Sequence, residues 1–157
     1  MLDVVQNSKS NTVHDIICQL KNMHNGNSWA FFPELRIGTG YGHDKEQRLD
    51  AWAMCLYPSR FQAPYLRKTF EIKVNRNDFL KEIKDPDKSW FGRMVSHQFW
   101  WVCSENVIKK GEIEPGDGLM IWDGKSIKIE KKAATRAAVR PRWSFVAAIA
   151  RRSSKIG

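Results

Sequence analysis

The chain has 157 residues, 42% of them hydrophobic, enough for one domain with a packed core. Its 26 Lys and Arg outnumber 17 Asp and Glu, and the formal charge of +9 points to polyanionic partners, nucleic acid first. No apolar run approaches the ~20 residues that cross a bilayer and no basic-then-apolar leader opens the sequence, so the membrane option weakens and a cytoplasmic, nucleoid-associated protein without membrane partners is expected.

In chain order, residues 1–10 are polar and irregular and read as a loose N-terminus. From Asn11 the pattern turns helical: Val13, Ile16, Ile17 and Leu20 share a face, Asn11 or Thr12 supplies a cap, and Gly26 lies beyond the end. Trp29–Ile37 is aromatic and branched and reads as the first strand, with Pro33 placing it at an edge or bulge and Glu34 just past that irregularity. The glycines of Gly38–Gly42 suit a hairpin connection; with no Gly-Lys-Ser or Gly-Lys-Thr following, they form no phosphate loop.

A second strand is predicted over Arg48–Leu56, with Asp50, Trp52 and Met54 on one face. A segment with Pro58 and Pro64 leads to a third, Thr69–Val74, which alternates at period two: Phe70, Ile72 and Val74 face one side, Glu71 and Lys73 the other. Asn75 then caps a helix with Phe79 and Ile83 as its apolar stripe, stopped by Pro86. Gln98–Cys103 is almost continuously apolar, as for a central strand buried on both faces. Leu119–Trp122 and Ser126–Ile129 flank Asp123-Gly124, a two-residue hairpin signal. A last helix runs from Trp143 to Ala150 with Phe145, Val146 and Ile149 at helical spacing.

Cys18, Cys55 and Cys103 are odd in number and far apart, so they build neither a disulfide framework nor a zinc site and read as small core residues. The four histidines show no metal-binding spacing. Most of the seven tryptophans belong in the core; Trp90 and Phe91 are the better candidates for an exposed stacking platform.

Three acidic positions fall on three successive strands: Glu34, Asp50 and Glu71, the last with Lys73 beside it. In a meander they converge. Asp50, Glu71 and the Ile72 backbone carbonyl would then offer the oxygen ligands that Mg²⁺ or Mn²⁺ accepts, leaving Lys73 to hold a nucleophilic water and stabilise charge on a phosphate.

With these pieces in place the sequence resembles the PD-(D/E)xK nuclease superfamily, through Asp50 in Arg48-Leu49-Asp50-Ala51, then Glu71-Ile72-Lys73, with Glu34 upstream. More narrowly it resembles MmcB-like DNA-repair proteins: Asn75–Leu80, Phe99–Val102, Gly118–Ile121 and Asp123-Gly124 follow that family's order, over roughly Phe31–Lys131. Tyr57–Lys68 is longer and more basic than in the family, and His97 stands where an acidic residue is usual.

The resemblance implies one α/β (α+β) domain over 1–157 with a restriction-endonuclease-like core. Its mixed central sheet would have flanking helices in the order helix, three strands, helix, strand, then a C-terminal hairpin and helix. It also implies a Mg²⁺-dependent nuclease acting on DNA in repair or recombination, with Asp50, Glu71 and Glu34 at the metal and Lys73 at the nucleophile. Phosphate contacts are expected from Arg60, Arg67 and Lys68 and from the basic segment 131–157, through Lys131, Lys132, Arg136, Arg140, Arg142, Arg151 and Arg152. A homodimer would give such an enzyme two sites for two strands. The competing expectation is a non-catalytic DNA- or partner-binding module, a repair accessory or a phage or mobile-element regulator that keeps the fold without turnover.

Overall fold

The computed structural model describes residues 2–37, 47–57 and 65–156. Six strands form one mixed sheet in sequential order. They are β1 (Trp29–Ile37), β2 (Gln47–Cys55), β3 (Arg67–Lys73), β4 (Gln98–Ser104), β5 (Gly118–Trp122) and β6 (Ile127–Lys131). The pairs β1/β2, β2/β3 and β5/β6 are antiparallel, whereas β3/β4 and β4/β5 are parallel. The mixed α+β sheet is therefore as expected, and so is the central place of β4, whose residues Phe99–Cys103 are all buried.

Helix α1 (Leu2–Met23) covers one sheet face. Its Ile16 and Leu20 pack with Ala51, Ala53, Phe70, Ile72, Trp100 and Val102. Helices α2 (Arg76–Lys84), α3 (Pro86–Met94) and α4 (Trp143–Ile156) cover the other. There Phe79 packs with Phe99 and Trp101, and Phe145 of α4 packs with Phe32, Leu35, Leu49 and Trp52. This division follows from the period-two alternation of the strands.

Five sequence expectations change. Helix α1 begins at Leu2 rather than near Asn11, because residues 2–10 contain neither Pro nor Gly to stop it and the helix continues through them. Pro86 ends α2 but also opens α3, where its missing N–H and fixed φ suit a first helical position. On α2 the buried partner of Phe79 is Glu82, while Ile83 is 42% exposed. Cys18 lies exposed on α1, and Val146 faces outward on α4, its place in the core taken by Ala148.

The residues after β6 form a strap held by backbone hydrogen bonds: Ala134 N–H to Gly116 O (3.0 Å), Arg136 N–H to His97 O (2.8 Å) and Val139 N–H to Met94 O (3.1 Å). Asp117, fully buried, anchors it further by accepting from Arg93, Arg136 and the indole N–H of Trp101. The hairpin connection expected around Gly38–Gly42 lies outside the described residues, as does Arg60.

Candidate active site

The site forms where β2 parts from β3. Their ladder pairs Met54 with Arg67 and ends at Ala51 opposite Phe70, so Asp50 and Glu71 are next in register and stand side by side. In place of a ladder bond, the Ile72 N–H donates to Asp50 Oδ2 at 2.8 Å. On its other side β3 stays paired to β4 through Lys73 opposite Cys103, which keeps the Glu71-Ile72-Lys73 backbone fixed.

The same level carries a change of phase in the two outer strands. Phe32 and Leu35 in β1, and Leu49 and Trp52 in β2, all join one core although each pair is three residues apart. Strict alternation would send one of each pair to the opposite face. Between them lie Glu34, with a φ of 51°, and Asp50, the one level at which β1 and β2 are not partnered.

Glu71 and Lys73 emerge on the face covered by α2, as their alternation with Phe70 and Ile72 predicts. Lys73 Nζ donates to Glu71 Oε1 at 2.8 Å and lies 3.3 Å from Glu82 Oε2. All three side chains are largely covered, at 13%, 12% and 9% exposure for Glu71, Lys73 and Glu82. The Asn75 side chain fixes α2 by accepting from the N–H groups of Asn77 and Asp78, and Glu82 then sits one turn beyond Phe79 on the buried side.

Three carboxylates thus surround one ammonium with little water. Burial, and then the Asp50 charge, push the Glu71 carboxyl up from 4.5 to about 8, against the opposing pull of Lys73. Burial likewise raises Asp50, although the Ile72 N–H and Lys73 counter it. Burial alone would lower Lys73, but the Glu71 carboxylate more than offsets this and holds the ammonium charged.

The structure therefore brings together Asp50, Glu71 and Lys73 and leaves Glu34 apart. Glu34 pairs with Arg48 at 3.3 Å on the surface, both side chains at least half exposed, because its positive φ turns it out of the alternation that would have aimed it inward. Glu82 was missed from sequence. Its signal is the i, i+3 relation to Phe79, which places it on the face that α2 turns toward β3.

The expected phosphate contacts divide sharply. Lys68 lies on the α1 side of the sheet, its amine 3.3 Å from His24 Nε2 and 4.8 Å from the centre of the Trp29 ring, so it does not join the acidic site. Its even position, shared with Phe70 and Ile72, puts it there. Arg67 is half-buried at the far end of β3. Lys131 donates to Glu114 O, Arg136 pairs with Asp117, Arg151 donates to Arg36 O and Arg152 to Pro33 O. These four cations hold the fold together. Lys132, Arg140 and Arg142 are exposed and, among the described residues, bound to no carboxylate. Phe91, expected on an open platform, is half-buried against Phe145 with ring centres 6.3 Å apart.

Among the described residues no helix is long and apolar enough to cross a membrane, and no group of three or more His, Cys, Asp or Glu is arranged to hold a metal ion. No family model matches the chain, and no curated protein matches it. Among solved structures it is similar to a protein of unknown function from Silicibacter pomeroyi, at 15% identity and a TM-score of 0.54, over 82% of this chain and 75% of that one. That likeness concerns the fold alone.

Proposed function

We propose that this chain is a Mg²⁺- or Mn²⁺-dependent nuclease of the PD-(D/E)xK type that hydrolyses phosphodiester bonds in DNA, in repair or recombination. One observation carries the reading: Asp50 and Glu71 stand side by side at the end of the β2/β3 ladder, with Lys73 bonded to Glu71 on the same strand. The restriction-endonuclease-like core belongs to this proposal as well.

The donor set fits a hard divalent cation. Mg²⁺ is ordinarily bound by one or two carboxylates and keeps several waters, so Asp50, Glu71 and the Ile72 carbonyl are an ordinary complement. Glu71 retains a proton up to about pH 8 where three carboxylates face one ammonium, and a divalent cation would neutralise that excess in the proton's place. When bound, such an ion supplies Lewis-acid polarisation of the phosphate and acidifies an attacking water.

The chain's own contribution lies in orientation and fixed charge. Asp50 is locked by the Ile72 N–H, so its other oxygen has a set direction. Lys73 stays protonated and is no general base; two of its three N–H donors engage Glu71 and Glu82, and the third is left for a water or a phosphate oxygen. Its charge then opposes the negative charge that grows on the phosphate in the transition state. Glu82 acts as a positioning residue, holding the Lys73 ammonium against α2.

Cleavage of duplex, single-stranded and branched DNA with Mg²⁺ or Mn²⁺ tests this, with Glu71→Ala and Lys73→Ala as controls. Loss of cleavage in both variants is expected; equal cleavage by all three proteins would remove the site. A second reading, a DNA-binding module without turnover, draws on the lysine bridging Glu71 and Glu82, which lets the cluster neutralise part of its own charge. Calorimetry separates the two: DNA binding without any Mg²⁺ or Mn²⁺ binding favours the module.

A further inference from the structure

The last 27 residues hold eight Lys and Arg and no Asp or Glu, yet most of the placed cations there serve the fold. What remains is concentrated in four residues, Arg140-Pro141-Arg142-Trp143. Trp143 opens α4 and is 86% exposed, the most exposed of the large hydrophobic side chains described. Arg140 and Arg142 beside it are exposed, and Val139, just before them, is 54% exposed.

This is not a loose tail. The strap is bonded to Met94 O at Val139, Pro141 fixes one backbone dihedral, and the Arg142 carbonyl accepts from the N–H groups of Phe145 and Val146 to start α4. Phe145, two residues on, is buried against Trp52 and Phe91. An indole is thus presented from a backbone anchored on both sides, with a guanidinium as its neighbour and no carboxylate in the segment. Single exposed apolar residues are common, but a solvent-facing tryptophan on an anchored backbone beside uncommitted arginines is the chemistry of a base-stacking site with phosphate contacts. Trp90, also exposed, is excluded because Asp85 and Asp87 begin its helix and would repel a phosphate backbone.

We propose that Trp143, Arg140 and Arg142 form a binding platform for unpaired nucleotides, the indole stacking on a base while the arginines contact the flanking phosphates. It deepens the nuclease reading by naming a substrate form, DNA with single-stranded character; α4 covers the same sheet face as the acidic site.

The test measures equilibrium binding of a fluorescent oligothymidylate, and of a duplex of equal length, to the full chain in EDTA, so that no turnover is required. Wild type is expected to bind the single strand with quenching of tryptophan fluorescence. Trp143→Ala should weaken that binding by about 5- to 150-fold, with Trp143→Phe recovering part of it. Arg140→Ala with Arg142→Ala should make the log-log salt slope shallower by about 1.4. Thermal melts check that the exposed substitutions leave the fold intact. Unchanged binding and quenching in Trp143→Ala overturns the platform, as does equal loss of duplex binding. Anionic vesicles form a further arm, and Trp143-dependent binding to them without Trp143-dependent oligonucleotide binding also overturns it. Because binding is read in EDTA without turnover, failure of the catalytic reading would leave this result standing.

Discussion

Replacing Glu71 by Gln removes a charge from a place that holds three carboxylates against one ammonium, and the consequence is readable without any substrate. Unfolded, Glu71 releases its proton near pH 4.5; folded, it keeps it to about pH 8. Below that window both states are protonated and nothing is lost. Across it the folded state binds more protons, so stability falls as pH rises and the full cost is reached above pH 8. At about 1.4 kcal/mol per pH unit of displacement, that cost is at most about 4–5 kcal/mol. For a domain of this size each kcal/mol moves Tm by about 2–4 °C, so the fall is large enough for calorimetry. Melts in EDTA between pH 5 and 9 should show wild type losing stability with pH and Glu71→Gln losing much less. Millimolar Mg²⁺ should restore wild type at the alkaline end and have little effect on the variant. Parallel pH profiles for the two proteins, or equal protection of both by Mg²⁺, would refute the reasoning.

Asp50→Asn keeps an oxygen to accept the Ile72 N–H and should melt near wild type while losing DNA cleavage; Asp50→Leu leaves that N–H unpaired and should cost a further 1–3 kcal/mol, roughly, by urea denaturation. Asp117→Ala strands Arg93 and Arg136 around a fully buried position and should cost about 3–5 kcal/mol in the same assay. Gly92→Ala would put a methyl 2.9 Å from the Thr69 and Phe99 side chains, forcing α3 off the sheet, with an expected loss of about 1–3 kcal/mol. Glu34→Ala removes only an exposed ion pair and should shift stability by less than about 1 kcal/mol.

Local chemistry was the legible part of this sequence. The alternation of Phe70, Glu71, Ile72 and Lys73 is enforced by the pleat, the Asn75 cap by the free N–H groups of a helix start, and the Asp123-Gly124 turn by a Gly φ of 94°. Those rules act within a few residues. Glu34 shows where they stop: Pro33 marked an edge or irregularity there, but the outward turn of Glu34 depends on a positive φ that β1 and β2 accommodate together. Glu82 and Arg136 are similar cases, one buried because Lys73 lies above it and the other committed because Asp117 lies beneath it. The position of Lys68, by contrast, was written in its parity with Phe70.

The two arginines of α4 that reach β1 bear on how copies of this chain could associate. β1 is an outer strand, and an outer strand ordinarily offers unused N–H and C=O groups to a passing strand. Here Pro33 has no N–H, Glu34 interrupts the extended conformation, and the carbonyls of Pro33 and Arg36 are taken by Arg152 and Arg151. That rim is sealed against strand addition. Edge-to-edge pairing of two copies through β1 is thereby disfavoured, and removing Arg151 and Arg152 together would unseal a route to such aggregation.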